Sequence, residues 1–217
     1  MKWPAFMTAL AVFPLTVAMA SAMTVYADRS AFESRGLIVH DYGFQEFDSN
    51  ALTFLPNPHT QAGVSYNTGD NLVVGSGVEP YRPISNVFCS DLLGPIRGEV
   101  QTGPAFDMLG MDLGYLAGAS TIDLTVSTNT GDCFYGSLAV PPAGQGLDFR
   151  GFVAGAGEYF TAFTIAANDD GSAPVIDNVT LGNAYASPIP EPLTMLTLAA
   201  AAAGVGRYIR KRLGVRA

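Results

Sequence analysis

Carboxylates are the residues of this chain best supplied for chemistry, and Asp177 is the most unusual of them. It lies in Val175-Ile176-Asp177-Asn178-Val179-Thr180-Leu181, where strict alternation groups it with Val175, Val179 and Leu181 on an apolar face. A carboxylate buried there is costly unless a cation or hydrogen bonds satisfy it. Asp169 and Asp170 precede it in a loop that Gly171 allows to turn. One reading is a structural calcium ion held by oxygens of Asp169, Asp170 and Asp177. The other is a set of backbone N–H donors from a neighbouring loop. Glu46 and Asp48 form a second pair that on a strand would share a face about 7 Å apart, a separation that glycoside hydrolysis can use. His40 precedes Asp41, but neighbouring strand residues point to opposite faces, which prevents a His–Asp pair; His59 falls in a loop between Pro58 and Thr60. No G-x-S-x-G elbow, H-E-x-x-H pair or phosphate loop occurs. The expectation is a non-enzyme with no catalytic residues and no required cofactor, the calcium ion being one of two alternatives for Asp177.

Sugar rings could stack on exposed aromatics such as Tyr81, Tyr115, Tyr135 or Tyr159, although the favoured stacking residue, Trp, occurs only as Trp3. Cys89 and Cys133 stand 44 residues apart, each beside an aromatic strand-like segment. In an oxidising compartment two cysteines with no third suggest one disulfide, which would stabilise the chain by about 3–4 kcal/mol. Two buried thiols are the alternative.

The body that must position these groups is bounded by two apolar ends. Lys2, the apolar run Ala5 to Ala18 and Ala20-Ser21-Ala22 have the three parts of a signal peptide, so residues 1–22 are expected to be removed and Met23 to become the first residue. At the other end, residues 188–217 begin with Pro188-Ile189-Pro190-Glu191-Pro192, in which alternate prolines hold the chain extended. An apolar stretch follows from Leu193, long enough for a short membrane-spanning helix of roughly 25 Å. Arg207, Arg210, Lys211 and Arg212 then stop it and set the C-terminus inside. Between Met23 and Pro190 the chain has 18 acidic residues against five Arg and no Lys, a net charge of −13 that the whole-chain value of −8 conceals. Such a surface repels phosphates, so nucleic acid is excluded as a partner.

Pro190-Glu191-Pro192, a short hydrophobic helix and a basic cluster together resemble the PEP-CTERM sorting signal of Gram-negative bacteria. The resemblance implies an exosortase as partner, a transient stay in the cytoplasmic (inner) membrane, and release to the cell surface or an exopolysaccharide matrix. Several blocks of residues 23–187 are similar to those of PEP-CTERM ectodomains: Gly110-Met111-Asp112-Leu113, Phe149-Arg150-Gly151-Phe152-Val153, Phe163-Thr164-Ile165 and Ile176-Asp177-Asn178-Val179. They imply a jelly-roll-like β-sandwich related in style to lectins and carbohydrate-binding modules.

Independently of that likeness, the hydrophobic period is two throughout the body. It predicts strands over Leu37–Phe47, Gly63–Tyr66, Leu72–Val74, Ile84–Ser90, Phe106–Leu116, Thr121–Ser127, Cys133–Val140, Phe149–Val153, Tyr159–Ala166 and Val175–Leu181. A parity change within Phe106–Leu116 places a bulge at Gly110, and Gly131-Asp132 marks a turn. Helix is expected only at Arg29–Ser34, capped by Asp28. This is an all-β sandwich pattern.

Overall fold

Period-two patterning becomes two stacked antiparallel sheets in the computed structural model, which describes residues 23–90, 94–101, 105–118, 120–168 and 173–185. Among these residues there are fourteen strands and one helix: β1 (Thr24–Tyr26), α1 (Arg29–Glu33), β2 (Gly36–Tyr42), β3 (Leu52–Leu55), β4 (His59–Gln61), β5 (Val64–Tyr66), β6 (Asn71–Val74), β7 (Val87–Ser90), β8 (Ile96–Val100), β9 (Met108–Tyr115), β10 (Ser120–Thr128), β11 (Gly131–Val140), β12 (Asp148–Val153), β13 (Phe160–Ala167) and β14 (Pro174–Ala184). The larger sheet runs β1-β12-β9-β14-β7-β6-β3, with β2 also paired to β14; the smaller runs β11-β10-β13-β8-β5-β4.

The inner faces meet in one apolar layer. Leu109, Met111, Leu113 and Ile176 come from the larger sheet, and Ile122, Leu124, Val126, Phe163 and Ile165 from the smaller. Phe44, Tyr66 and Phe88 form an aromatic cluster within it, with Tyr66 and Phe88 ring centres 4.6 Å apart.

The larger sheet is also covered on its outer face, in two places. At one end Phe32 of α1 packs on Met108 and Phe149, and Gly151 makes room for it, since a Cβ there would lie 2.6 Å from the Phe32 ring. At the other end Leu72, Val74, Val87, Cys89 and Val175 form a second cluster under Tyr81, Val78 and Leu147. That double cover explains why β6 and β7 are buried at every position, as strands with two covered faces must be. The smaller sheet has no such cover among the described residues. Along β10, Ile122, Leu124 and Val126 are buried while Thr121, Asp123, Thr125 and Ser127 alternate outward.

Asp28 caps α1 as expected, accepting from the Ala31 amide at 2.7 Å. Several expectations need correction. The strand from Leu37 ends at Tyr42, because the chain turns at Gly43 to bury Phe44, and the strand expected from Ile84 begins only at Val87. Gly110 carries no bulge: β9 keeps unbroken register with β12, and its parity change reflects apolar cover on both faces. The irregularity lies on the facing strand, between Asp177 and Thr180 of β14. His59 belongs to β4 rather than to a loop, and β1, β3, β4 and β8 are strands that the alternation did not indicate.

The expected Cys89–Cys133 disulfide does not form. Cys89 follows the core-facing Phe88 and therefore points into the outer cluster of the larger sheet. Cys133 sits at a bulge in β11, the edge strand of the other sheet, 3.3 Å from the Met23 sulfur. Sheets stack about 10 Å apart, and a bridge needs Cα atoms within about 7 Å. Reductant should therefore leave the thermal midpoint of the recovered protein unchanged, and both thiols should titrate with a disulfide-exchange reagent in denaturant. A midpoint that falls on reduction would restore the bridge.

Candidate functional site

Two polar constellations stand out, one internal and one external. The internal one is built where β14 changes partners. Its first half pairs β7 through Ile176 and Phe88, and its second half pairs β2 from Val179 and Tyr42 onward. Asp177 lies at this fork. Asn178 adopts a left-handed conformation there (φ 47°), which Asn tolerates better than most residues. The bulge reverses parity, so Val179 and Leu181 face the central core while Asp177 does not share their face.

Asp177 is fully buried, and its oxygens are met by donors. Oδ1 accepts from the amides of Asn178 at 2.8 Å and Phe44 at 3.4 Å; Oδ2 accepts from Ser85 Oγ at 2.6 Å and Gln45 Nε2 at 3.4 Å. Gly43 allows the approach, since a Cβ there would lie 3.0 Å from Asp177 Oδ1 and 2.7 Å from Asn178 Oδ1. Of the two readings for Asp177, this donor set supports hydrogen bonding from a neighbouring loop. Asp169 and Asp170, the other expected calcium ligands, lie outside the described residues. Among the described residues no group of three or more His, Cys, Asp or Glu is arranged to hold a metal.

Burial drives the Asp177 carboxyl above its ordinary 3.8 and the charge of Asp112 adds to that, while hydrogen bonds from Ser85, Asn178 and Phe44 pull the other way. Beside it, Asn178 donates to Asp112 at 2.8 Å, and Arg29 at the start of α1 reaches Asp112 at 2.9 Å and Thr180 at 3.1 Å. The same guanidinium stands 4.5 Å above the Phe149 ring. The internal constellation thus joins sheet to helix, and each of its carboxylates is occupied by a structural partner.

The external constellation is the open face of the smaller sheet. Register places Tyr135, Thr125, Thr164 and Arg97 in one row across β11, β10, β13 and β8. Ser137, Asp123 and Ala166 form the next row, and Ser127, Ala162, Glu99 and Ser65 flank the first on its other side. At about 4.8 Å per strand the first row is roughly 14 Å wide. Tyr135 is 73 % exposed, the highest value among the exposed large hydrophobic side chains. Asp123 accepts from Ser137 and, at 2.9 Å, from Asn168. Hydrogen bonds from these two and from Tyr135 hold its carboxyl below the usual carboxylate range, so it is ionised at neutral pH. An exposed ring thus lies among hydroxyls, an amide and a fixed carboxylate, groups that can stack on and hydrogen-bond a polyhydroxylated ligand.

Other expected positions fare differently. Tyr115 is buried and cannot serve as a platform, while Tyr81 and Tyr159 are half-buried. Glu46 and Asp48 lie in the turn after β2: Glu46 accepts from the Tyr42 hydroxyl, and Asp48 accepts from the Asn50 amide at 2.8 Å. His40 packs against Phe106, while Asp41 accepts from Thr180, so the two diverge as alternation requires. His59 stacks on Tyr66, and burial lowers its pKa against the charge of Glu46. The cleavage residues Ala20 and Ala22, the Pro190-Glu191-Pro192 motif and the basic stop lie outside the described residues; Met23 is described and touches Cys133. Ser85, Gln45, Arg29 and Asp112 had no sequence signal that linked them to Asp177.

No family model matches the chain, and no curated protein does. Among solved structures, a variant of a family 29 carbohydrate-binding module is 11% identical, covering 64% of this chain and 96% of that one, at a TM-score of 0.36. The CBM22-1 xylan-binding domain from Paenibacillus barcinonensis is 14% identical, covering 70% and 98%, also at 0.36. Likeness at that score carries no argument about what this chain binds.

The folded chain holds the Asp177 proton more tightly than the unfolded chain. Its contribution to stability therefore declines as pH rises from 3.8 through the raised folded value. Denaturant unfolding across that range should show a slope that Asp177→Asn flattens. Asp177→Ala, which orphans buried N–H groups, should cost roughly 1–3 kcal/mol. A calcium chelator should leave the wild-type midpoint unchanged; a calcium-dependent rise that Asp177→Asn abolishes would assign the ion instead.

Proposed function

We propose that this chain is an exported, non-enzymatic protein of the cell surface or extracellular matrix that holds exopolysaccharide on the open face of its smaller sheet. The observation that carries the reading is Tyr135, a highly exposed ring set among Thr125, Thr164, Ser137 and the hydrogen-bonded Asp123. The ring projects from the solvent face of the sheet while the side chain hydrogen-bonds Asp123. On the larger sheet, α1 and the 78–81 and 143–147 segments cover part of the outer face, and the large side chains exposed on β2 and β3, Leu37, Val39, Leu52 and Phe54, are apolar.

Delivery follows from the two ends of the sequence. The 1–22 segment has the pattern of a cleaved signal, and the 188–217 tail that of a substrate sorted by an exosortase at the inner membrane. The body between them, at −13, favours neutral, hydroxyl-rich polymers over polyanions.

Affinity electrophoresis of the recovered protein through gels containing candidate neutral polysaccharides tests the binding face. Retardation by at least one polymer, weakened about tenfold by Tyr135→Ala, is the expected outcome; equal retardation of Tyr135→Ala and Asp123→Asn variants would remove the face from the account. Intact mass tests delivery. The protein recovered from the cell surface should begin at Met23 and end near Pro190-Glu191-Pro192, whereas a mass equal to the whole 217-residue chain would sink the sorting reading.

A further inference from the structure

The route of the chain gives the sandwich two unlike poles. Thr24, Val153, Met108 and Gly182 are register partners across β1, β12, β9 and β14, so the body begins and ends at the same pole. Tyr115 and Pro174 are partners at the other end of β9 and β14. Eight residues of β9 separate the two poles by roughly 23 Å. At the far pole three segments distant in sequence converge on an open groove of about 430 Å³. Its lining includes Pro80, Tyr81, Arg82, Leu116, Pro142 and Gln145.

The groove is pre-organised by main-chain bonds. The Ala143 amide donates to Tyr115 O at 2.7 Å, the Ile84 amide to Ala143 O at 2.8 Å, and the Arg82 amide to Val78 O at 2.8 Å. Gly144 packs so closely on the neighbouring segment that a Cβ would lie 3.0 Å from Arg82 O. Tyr81 is braced from behind by the outer cluster of the larger sheet. Arg82 is held in a left-handed conformation (φ 36°) at the rim, a strained backbone of the kind that gathers at ligand clamps.

We infer that this groove is a second ligand site, which takes the end of a neutral oligosaccharide. The inference rests on the proposed association with polysaccharide and adds to it a separate place and a shorter ligand. Tyr81 and the two prolines offer an apolar wall for the C–H face of a sugar ring, with Leu116 buried behind them. The Gln145 amide and the Arg82 N–H groups can bond ring hydroxyls. Arg82 is already neutralised by Glu79, and the body as a whole is acidic, which disfavours an anionic ligand.

The test uses the processed protein with cellotriose, xylotriose and mannotriose as neutral probes and trigalacturonate as an anionic one, followed by amide chemical-shift mapping. Saturable binding of at least one neutral trisaccharide is expected, with shifts concentrated in 78–84, 115–118 and 141–145. Gln145→Ala, a change at the rim, should weaken binding at least tenfold with an unchanged thermal midpoint; Tyr81→Ala should do the same in whatever fraction remains folded. Three results overturn the inference while leaving the polymer face standing: retention by polysaccharide gels without trisaccharide binding, shifts confined to the Tyr135 face, or preference for trigalacturonate. Loss of all glycan binding by the wild type overturns both.

Discussion

The architecture turns on how β14 divides its hydrogen bonds. One edge of this strand is paired to β9 along most of its length, but the other is shared between β7 and β2. Where one partner stops and the next begins, main-chain N–H groups are left without a ladder, and burying them unsatisfied would cost about 1–3 kcal/mol each. Asp177 accepts two of them, from Asn178 and Phe44, and binds Ser85 and Gln45 from the two flanking segments. The carboxylate is itself expensive to bury. Four donors offset that cost, and the raised pKa records what remains of it.

From that fork the rest of the larger sheet can be followed. The left-handed turn at Asn178 flips side-chain parity, sending Val179 and Leu181 into the central layer and the Asn178 amide to Asp112. Arg29 reaches the same Asp112, so the short helix is fastened at the point where the strand is irregular. A five-residue helix has little stability of its own. Phe32 beneath it and Arg29 above Phe149 hold it against the sheet.

The two sheets differ in exposure for a related reason. Cover on both faces stabilises the middle of the larger sheet, while the apolar Leu37, Val39, Leu52 and Phe54 stay exposed on β2 and β3. The smaller sheet, covered once, keeps a solvent face on which Thr125, Ser137 and Asp123 stand beside Tyr135. Its strands hold that face with the precision of a register, and ladder bonds limit its movement far more than a loop would. The groove at the far pole is a by-product of the same cover: the segments that roof the outer cluster of the larger sheet must also meet one another.

Much of this was legible in the residues themselves. Thr121–Ser127 alternates cleanly because one of its faces is wet, and the structure keeps that alternation. Asp28 announces the helix because an N-cap is a local interaction. The apolar ends, the basic stop and the acidity of the body are facts of composition. What failed to show were features that depend on partners far along the chain. Strands β3 and β4 are short and weakly patterned, and β8, though it alternates, is only five residues long; all three are strands because neighbours complete their ladders. Cys89 and Cys133 suited a bridge by spacing and compartment, but the faces on which they lie depend on which sheet each strand joins. The sequence by itself determined an acidic all-β chain with a capped helix turn and two apolar ends, since alternation, caps and charge act between near neighbours. Only the tertiary structure decided that Asp177 sits at a fork, that Tyr135 faces water while Tyr115 does not, and that three loops share a groove. Those outcomes are set by long-range pairing and by which faces are covered twice, and neither is encoded within the span of one strand.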